Sequence, residues 1–426
     1  MNPYLHPRDE ILGTMERIYR YRMTTTSGGN LSLREPDGSI WITPARLDKG
    51  SLRREDIVCV RPDGTVEGPH VPSSEFPFHQ RIYAVRPDVR GIVHAHPSGL
   101  VAFSIARVLP DVRLFHQTWR LCGKVGIARY ELPGSVALAE SISEKFAEGL
   151  DSVILENHGI VTGGADFQTA FHRFETLEFA AKIAVKARAL GGVKLLSDEQ
   201  LEVTARPQAL PTLTREFVSS EERELRVVLR NFVQRAYRQR LFISTQGSFS
   251  ARLDERAFLI TPNRVDRGYI EARDLVLVRD GMAEEGSQPS RAAGLHAAIY
   301  AKHPGIGALV NAYPVNATAF SVSDAPFDTR TIPESYILLR DVARAPFGLQ
   351  FTDFAAIAGM LSPKRPVLLL ENDGALVSGK HVLEAFDRLE VLEATAEALV
   401  DCRSVGPLVP ISEESARELD RAFFGE

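Results

Sequence analysis

Cysteine is scarce in this chain: Cys59, Cys122 and Cys402 are the only three in 426 residues, far apart and with no Cys-x-x-Cys spacing. That excludes a disulfide framework and a thiolate zinc site and leaves buried, reduced thiols as the expectation. No apolar run approaches the roughly 20 residues of a membrane span. The opening residues Met1 to His6 lack the basic region and apolar core of a secretion signal. An excess of one charge is missing too, since 50 basic against 55 acidic residues give a net charge of -5. Neither a basic nucleic-acid footprint nor an acidic tail is present. The expectation is a cytoplasmic protein whose partners are small molecules, with no nucleic acid and no membrane. What the chain does have is the composition of a globular protein, 44% hydrophobic and 25% charged, at a length that calls for two or three domains.

The stretch from Pro72 to Pro97 carries the chemistry. Ile92-Val93 is a short apolar run, so His94 and His96 sit at a strand end, where side chains two apart share a face and are roughly 7 Å apart at Cα. Such a pair chelates one cation, although a lone His-x-His near a proline turn is more often two surface or capping histidines. Glu75 upstream and His158 downstream shift that balance, because the apolar run Val153-Ile154-Leu155 also ends in a turn, at Glu156-Asn157-His158-Gly159. Three neutral imidazoles and a carboxylate fill a tetrahedral Zn²⁺ shell. A carboxylate that leaves the metal opens a substrate position and becomes a base.

In chain order, the spacing predicts a helix from about Pro7 to Met23, then a break at Ser27-Gly28-Gly29-Asn30 and an alternating strand from Leu31. A hairpin turn at Glu35 to Gly38 leads to a strand over 39–43, and another strand covers 57–60. Ser74 to Val85 reads as a helix with Glu75 in its first turn. The pattern from Val101 to Tyr130 is ambiguous in register. Helices are expected over 135–147 and 166–190, and the two prolines of Ala205 to Pro211 suggest a linker.

After that linker the chain starts again. A helix over 221–241 repeats the first, and Gln246-Gly247-Ser248-Phe249-Ser250 stands where Gly28-Gly29-Asn30-Leu31-Ser32 stood. Ile260-Thr261-Pro262 repeats Ile42-Thr43-Pro44, with a period of about 215 to 218 residues throughout. The second copy lacks every metal-site residue: Glu75 becomes Ala292, His94 becomes Asn311, His96 becomes Tyr313 and His158 becomes Asp373. His79 persists as His296, which marks it as a packing or hydrogen-bonding residue. Loss of four scattered residues while turns and strands persist argues that the four served one chemical purpose.

These motifs, in this order, resemble the class II aldolase/adducin family: Ser73-Ser74-Glu75 with a His four residues on, His94-x-His96-Pro97, Asn157-His158-Gly159, and upstream Gly29-Asn30 and Ile42-Thr43-Pro44. The resemblance covers about Thr24 to Gly164. It implies a three-layer αβα fold with a mixed, mostly antiparallel central sheet, present twice in tandem: a metal-binding catalytic domain over 1–205 and a degenerate one over 212–426. It also implies reversible aldol cleavage of a sugar phosphate through a metal-stabilised enediolate. His94, His96 and His158 would be ligands and Glu75 a ligand and acid/base. The ion would be zinc, with manganese or iron as alternatives.

Gly29, Asn30, Ser73 and Ser74 match the family's phosphate-binding pattern. The Thr-Pro-Ser/Thr-Gly turn does not, since here it reads Thr43-Pro44-Ala45-Arg46. Arg46 is either a partner for a phosphate or carboxylate or a structural residue, Arg264 holding the same place in the second copy. The family's tyrosine proton donor falls near Leu114 or Phe115, where there is none; Tyr336 of the second copy is the candidate, with His116 and Tyr130 as local alternatives. The family's rings with shared sites imply a homodimer of pseudo-four-fold symmetry. The rival readings are a decarboxylase of 3-oxo or hydroxyaromatic acids, which Arg46 would suit, and a non-enzymatic adducin-like scaffold. An epimerase fits less well, because the resembling epimerases carry Asp where Glu75 stands. A dehydratase of the methylthioribulose-phosphate type is compatible with these residues.

Overall fold

The computed structural model describes residues 5–204, 210–215, 217–286 and 288–425. The chain divides into two compact units, one of residues 1–113 and 117–182, the other of 114–116 and 183–426. The stretch read as a linker, 205–211, lies outside the described residues except for its last two. Pro211 is held there by its carbonyl, which accepts from Ala283 N. Among the described residues no helix is long and apolar enough to cross a membrane.

The first unit is built on eight strands: β1 (Asn30–Arg34), β2 (Ile40–Ile42), β3 (Val58–Val60), β4 (Val66–Glu67), β5 (Gly91–Ala95), β6 (Val125–Ala128), β7 (Ser152–Leu155) and β8 (Gly159–Gly164). Their order across the sheet is β4-β3-β2-β1-β5-β8-β7-β6, and every pairing is antiparallel except β6 with β7. The sheet is therefore mixed and mostly antiparallel. Asp37 shapes the β1–β2 turn by accepting from Ser39 N at 2.9 Å, an Asx turn in the place where Pro36-Asp37-Gly38 breaks the alternation.

Alternation along the strands separates two apolar faces. On one, Val161 of β8 and Ile92 of β5 pack with Phe78 and Ile82 of the helix Phe76–Val85 and with Leu138, Ile142 and Phe146 of the helix Val136–Ala147. On the other, the next residue of β8, Thr162, donates its hydroxyl to Ala170 O in the helix Phe167–Ala189. Helices thus cover both faces, the three-layer arrangement expected. The ambiguous stretch 101–130 resolves into short pieces: a helix Ser98–Ala106, a single 3-10 turn Val112–Leu114, a two-turn helix His116–Cys122 and β6.

The second unit repeats this plan as a nine-stranded sheet. Its strands are β9 (Thr212–Leu213), β10 (Ser248–Arg252), β11 (Ala257–Ile260), β12 (Val276–Arg279), β13 (Met282–Glu284), β14 (Ala308–Ala312), β15 (Val342–Ala345), β16 (Val367–Leu370) and β17 (Gly374–Gly379). Their order is β15-β16-β17-β14-β10-β11-β12-β13-β9. Ser248 pairs with Asn311 just as Asn30 pairs with His94, so the repeat read from the sequence holds at the level of register.

Phe146 is fully buried in the first unit's helix-covered core. Truncating it to Ala should cost about 3–5 kcal/mol from lost transfer energy and the cavity left behind. The check is the urea midpoint of that unit's unfolding transition; a Phe146→Ala protein as stable as the wild type would contradict this packing.

Candidate active site

Glu75 precedes the helix Phe76–Val85 as its N-cap residue and does not cap it with its side chain. The expectation that Glu75 lies inside the first helical turn is thus corrected by one position. Pro77, tolerated in a first turn because it lacks only an N–H that would be orphaned anyway, sets the helix start after it. The carboxylate, freed from its own helix, reaches Nε2 of His94 at 3.2 Å through Oε2 and Nε2 of His158 at 3.7 Å through Oε1.

His94 is the fourth residue of β5, between β1 and β8, and is fully buried. Its Nδ1 lies 2.9 Å from the carbonyl of Ile160 on β8. A carbonyl only accepts, so Nδ1 carries the proton and Nε2 presents a lone pair to the site. His96, two residues on, brings its Nε2 within 3.2 Å of that of His94. His158, in the turn between β7 and β8, completes a triangle of rings whose centroids lie 4.8 to 5.0 Å apart.

The fit to a metal ion follows from three observations. The three imidazoles offer ligand atoms all within 4.8 Å of one another, and among the described residues theirs is the only such group of three or more His, Cys, Asp or Glu. The 3.2 Å between the His94 and His96 nitrogens is close to the roughly 3.3 Å edge of a tetrahedron with zinc–nitrogen bonds near 2.05 Å. Glu75 Oε1 is buried with no hydrogen-bond partner, an acceptor that a cation would satisfy. Burial, with the neighbouring imidazoles second, depresses His96 to about 3 and His158 to about 4, which keeps both neutral as ligands must be. Burial alone would raise the Glu75 carboxyl, but His94, His158 and the Asn30 amide outweigh it and hold the group below the usual carboxylate range.

The loops expected to hold substrate are tied together at the backbone. Thr43 N donates to Leu31 O, and Ser73 N donates to Thr43 O, both at 3.1 Å. Gly29 has φ +75°, and a Cβ there would lie 2.7 Å from His94 O, so only glycine lets this loop approach β5 so closely. Asn30 donates to Glu75 Oε2 at 2.7 Å, and Ser73 Oγ accepts from Glu75 N at 3.3 Å. Ser74 and Arg46 are exposed, and Arg46 forms no ion pair among the described residues. Tyr336 lies in the second unit, on the helix Pro333–Leu339, where its hydroxyl donates to Asp420 at 3.0 Å. That helix corresponds to His116–Cys122, which sets Tyr336 opposite Trp119 in the repeat.

Sequence reasoning missed Ser32, Tyr83 and the Ile160 carbonyl. Ser32 Oγ lies 2.6 Å from His79 Nδ1 and 2.8 Å from the Tyr83 hydroxyl, and His79 Nε2 lies 2.5 Å from Asn30 Oδ1. Their persistence as Ser250, Tyr300 and His296 was a signal available in the repeat.

In the second unit the corresponding positions form a hydrogen-bonded plug. Tyr313 donates to Asp373 Oδ1 at 2.9 Å, Gln350 donates to Oδ2 at 3.1 Å, and His116 Nε2 stands 3.4 Å from Oδ1.

The family model for the class II aldolase and adducin N-terminal domain matches residues 9–185 and again 228–400. The chain belongs to that family, with its domain present twice. A 5-deoxy-D-ribulose 1-phosphate aldolase of Bacillus thuringiensis serovar kurstaki is 32% identical over 203 residues, 47% of this chain and 93% of its own length. An L-fuculose phosphate aldolase of Methanococcus maripaludis is 34% identical over 181 residues, 41% of this chain and 93% of its own. A 3-oxo-tetronate 4-phosphate decarboxylase of Haemophilus influenzae is 32% identical over 179 residues, 41% and 85% respectively. Aldolases and decarboxylases both break carbon–carbon bonds, and the chain is a lyase-type enzyme of this family.

Two outcomes follow. Metal-depleted protein titrated with Zn²⁺ should bind one ion per chain, and His94→Ala or His158→Ala should abolish stoichiometric binding in isothermal titration calorimetry; two ions per chain would contradict a silent second unit. Burial also pulls His296 down to about 4, from an ordinary value near 6.5. A depressed imidazole stabilises the fold above about pH 6.5, and that contribution, on the order of 3 kcal/mol, is lost as pH falls toward 4. Melting temperatures of the metal-free protein should therefore drop through that window.

Proposed function

We propose that the first unit is a metal-dependent aldolase that reversibly cleaves a ketose 1-phosphate into dihydroxyacetone phosphate and an aldehyde, and that the second unit is catalytically silent. The observation that carries this is the ionised Glu75, buried against the imidazoles of His94 and His158 with one oxygen unpartnered. His94, His96 and His158 hold the ion, with Glu75 as a displaceable fourth ligand, and their imidazole nitrogens favour zinc over manganese or iron. Bound there, the ion supplies electrophilic polarisation of the substrate carbonyl.

The chain's own groups do the rest. In the condensing direction the Glu75 carboxylate takes the proton from the carbon next to the carbonyl of dihydroxyacetone phosphate. In the cleaving direction the bond between the two fragments breaks as the aldehyde-forming hydroxyl passes its proton back to the group that donates it in condensation, and Glu75, protonated at that stage, then delivers its proton to the carbon left behind. The Gly29 loop and the Ser73-Ser74 turn, fastened through Thr43, place the phosphate. Tyr336 is the proposed donor for the aldehyde oxygen. Burial, and next its bond to Asp420, raise its hydroxyl, so it stays protonated near neutral pH. Because that hydroxyl is engaged by Asp420, the role requires the bond to open. Assembly as a homodimer of pseudo-four-fold symmetry belongs to this proposal, and light scattering should give twice the 47.1 kDa chain mass.

One observation favours a second reading, a decarboxylase. Arg46 stands exposed and unpaired on the turn that Ser73 is bonded to, where it would pair bidentately with a substrate carboxylate. One of the relatives is named a decarboxylase.

A screen of ketose 1-phosphates and 3-oxo acids, with detection of both dihydroxyacetone phosphate and carbon dioxide, separates the two. Glu75→Gln should cost at least about 10³-fold in turnover, at the scale of a lost general base. Tyr336→Phe should lower cleavage turnover about 10²-fold, and unchanged turnover would remove it as the donor.

A further inference from the structure

Asn30 matches the family's phosphate-binding pattern, yet its side chain is already committed at both ends. Nδ2 donates to Glu75 Oε2 at 2.7 Å, and Oδ1 lies 2.5 Å from His79 Nε2. The orientation of this amide is forced. A carboxylate only accepts, so it faces the NH₂; the amide oxygen then needs a donor, so His79 carries its proton on Nε2. His79 Nδ1 is left as an acceptor and takes the Ser32 hydroxyl at 2.6 Å, and Ser32 in turn accepts from Tyr83 at 2.8 Å. All five side chains are buried, Ser32 and His79 completely, so no bulk water competes for these bonds.

The second repeat separates scaffold from chemistry. Ser250, His296 and Tyr300 keep the same two bonds at 2.7 and 2.8 Å. Ser248, however, stands where Asn30 stood, and Ala292 where Glu75 stood. The amide disappears together with the carboxylate it held, and His296 turns to Asn311 Oδ1 at 2.6 Å instead. The Tyr-Ser-His relay is common framework, whereas Asn30 goes with the reacting group.

We propose that Asn30 is a positioning residue for Glu75: the Tyr83–Ser32–His79 relay fixes its amide, and the amide ties down Oε2 so that Oε1 faces the ion and the substrate proton. This rests on the reading of Glu75 as the acid/base.

The test uses the full chain loaded with zinc and dihydroxyacetone phosphate in deuterium oxide, following hydrogen exchange at the reacting carbon by proton NMR. Asn30→Asp keeps the size and the acceptor for His79 but replaces the donor with a second carboxylate. It should lower the exchange kcat by about 10- to 100-fold, the usual effect of losing such a partner, with KM changed less than about twofold and zinc still bound. His79→Leu should do the same, and His79→Gln, which keeps an N–H, should recover most of the rate. The double variant Asn30→Asp/His79→Leu should be no slower than either single one. A tenfold rise in KM at constant kcat, or losses that multiply, overturns the proposal. If His79→Leu fails to fold, Asn30→Asp and His79→Gln decide the matter.

If the wild type exchanges nothing, the lyase reading fails on this probe, and the metal-free protein decides about Asn30 separately. With nitrogen-15 labelled asparagine, the Asn30 side-chain amide should show one proton shifted downfield and protected from solvent exchange. Glu75→Ala should abolish that signature, and its survival would overturn the proposal.

Discussion

A carboxylate kept ionised in a place with almost no water is the constraint on which the rest of the first unit depends. Glu75 is 8% exposed, and burial by itself would drive it to its neutral form. Only neighbours that favour the charge reverse that, and they come from three separate segments: Asn30 on β1, His94 on β5, and His158 between β7 and β8, around Glu75 ahead of its helix. The β1–β5 register that pairs Asn30 with His94 is therefore more than sheet construction. A slip of one residue in that register would put the two side chains on opposite faces and deprive the carboxylate of one of its partners. Glu75 could have capped its own helix, a bond worth about 1 kcal/mol, and that stabilisation is forgone in favour of the site.

The duplication acts as a control built into the molecule. Removing only one partner from a buried polar cluster strands the others, at roughly 1–3 kcal/mol for each unsatisfied group. The second unit avoids this because the whole set changed together. Asp373 in place of His158 is met by the Tyr313 hydroxyl, itself in place of His96, and by the Gln350 amide. Asn311 in place of His94 is met by His296. Asp373, Tyr313 and Asn311 have each found a partner, so this copy is a repacked interior and not a decayed one.

Much of this was legible in the sequence, and the parts that were not share a cause. His94 and His96 could be placed because period-two spacing on a strand fixes a common face, His158 because the apolar run before it ends in a turn, and Glu75 because Ser73-Ser74-Glu75 opens a helix in the pattern of the family. The repeat was visible because turn residues recur at fixed offsets. The segment 101–130 was not, because it breaks into a nine-residue helix, a single 3-10 turn, a two-turn helix and a four-residue strand, each too short to show a period. The helix carrying Glu75 was predicted to start at Ser74 and starts at Phe76. That difference decides whether the carboxylate serves its helix or the site. The Ser32–His79–Asn30 relay was hidden for another reason: it depends on tautomers and amide orientation, which are fixed by three-dimensional neighbours and leave no mark in residue spacing.

Arg46 shows where repeat comparison reaches a finer question. It adopts φ +58°, and Arg264 at the same place in the second unit adopts φ +59°. A left-handed residue with a side chain costs on the order of 1 kcal/mol, so glycine would be easier at both positions. Strain retained in a copy that lacks counterparts of His94, His96 and His158 does not by itself mark a substrate contact. The surroundings do differ. Arg46 shares its turn's bonding with Ser73, next to two small polar residues and a carboxylate, whereas Arg264 neighbours a Ser290-Arg291-Ala292 segment whose arginine is spent on the Thr204 carbonyl and the Phe351 ring. In the first unit the exposed guanidinium of Arg46 forms no ion pair among the described residues.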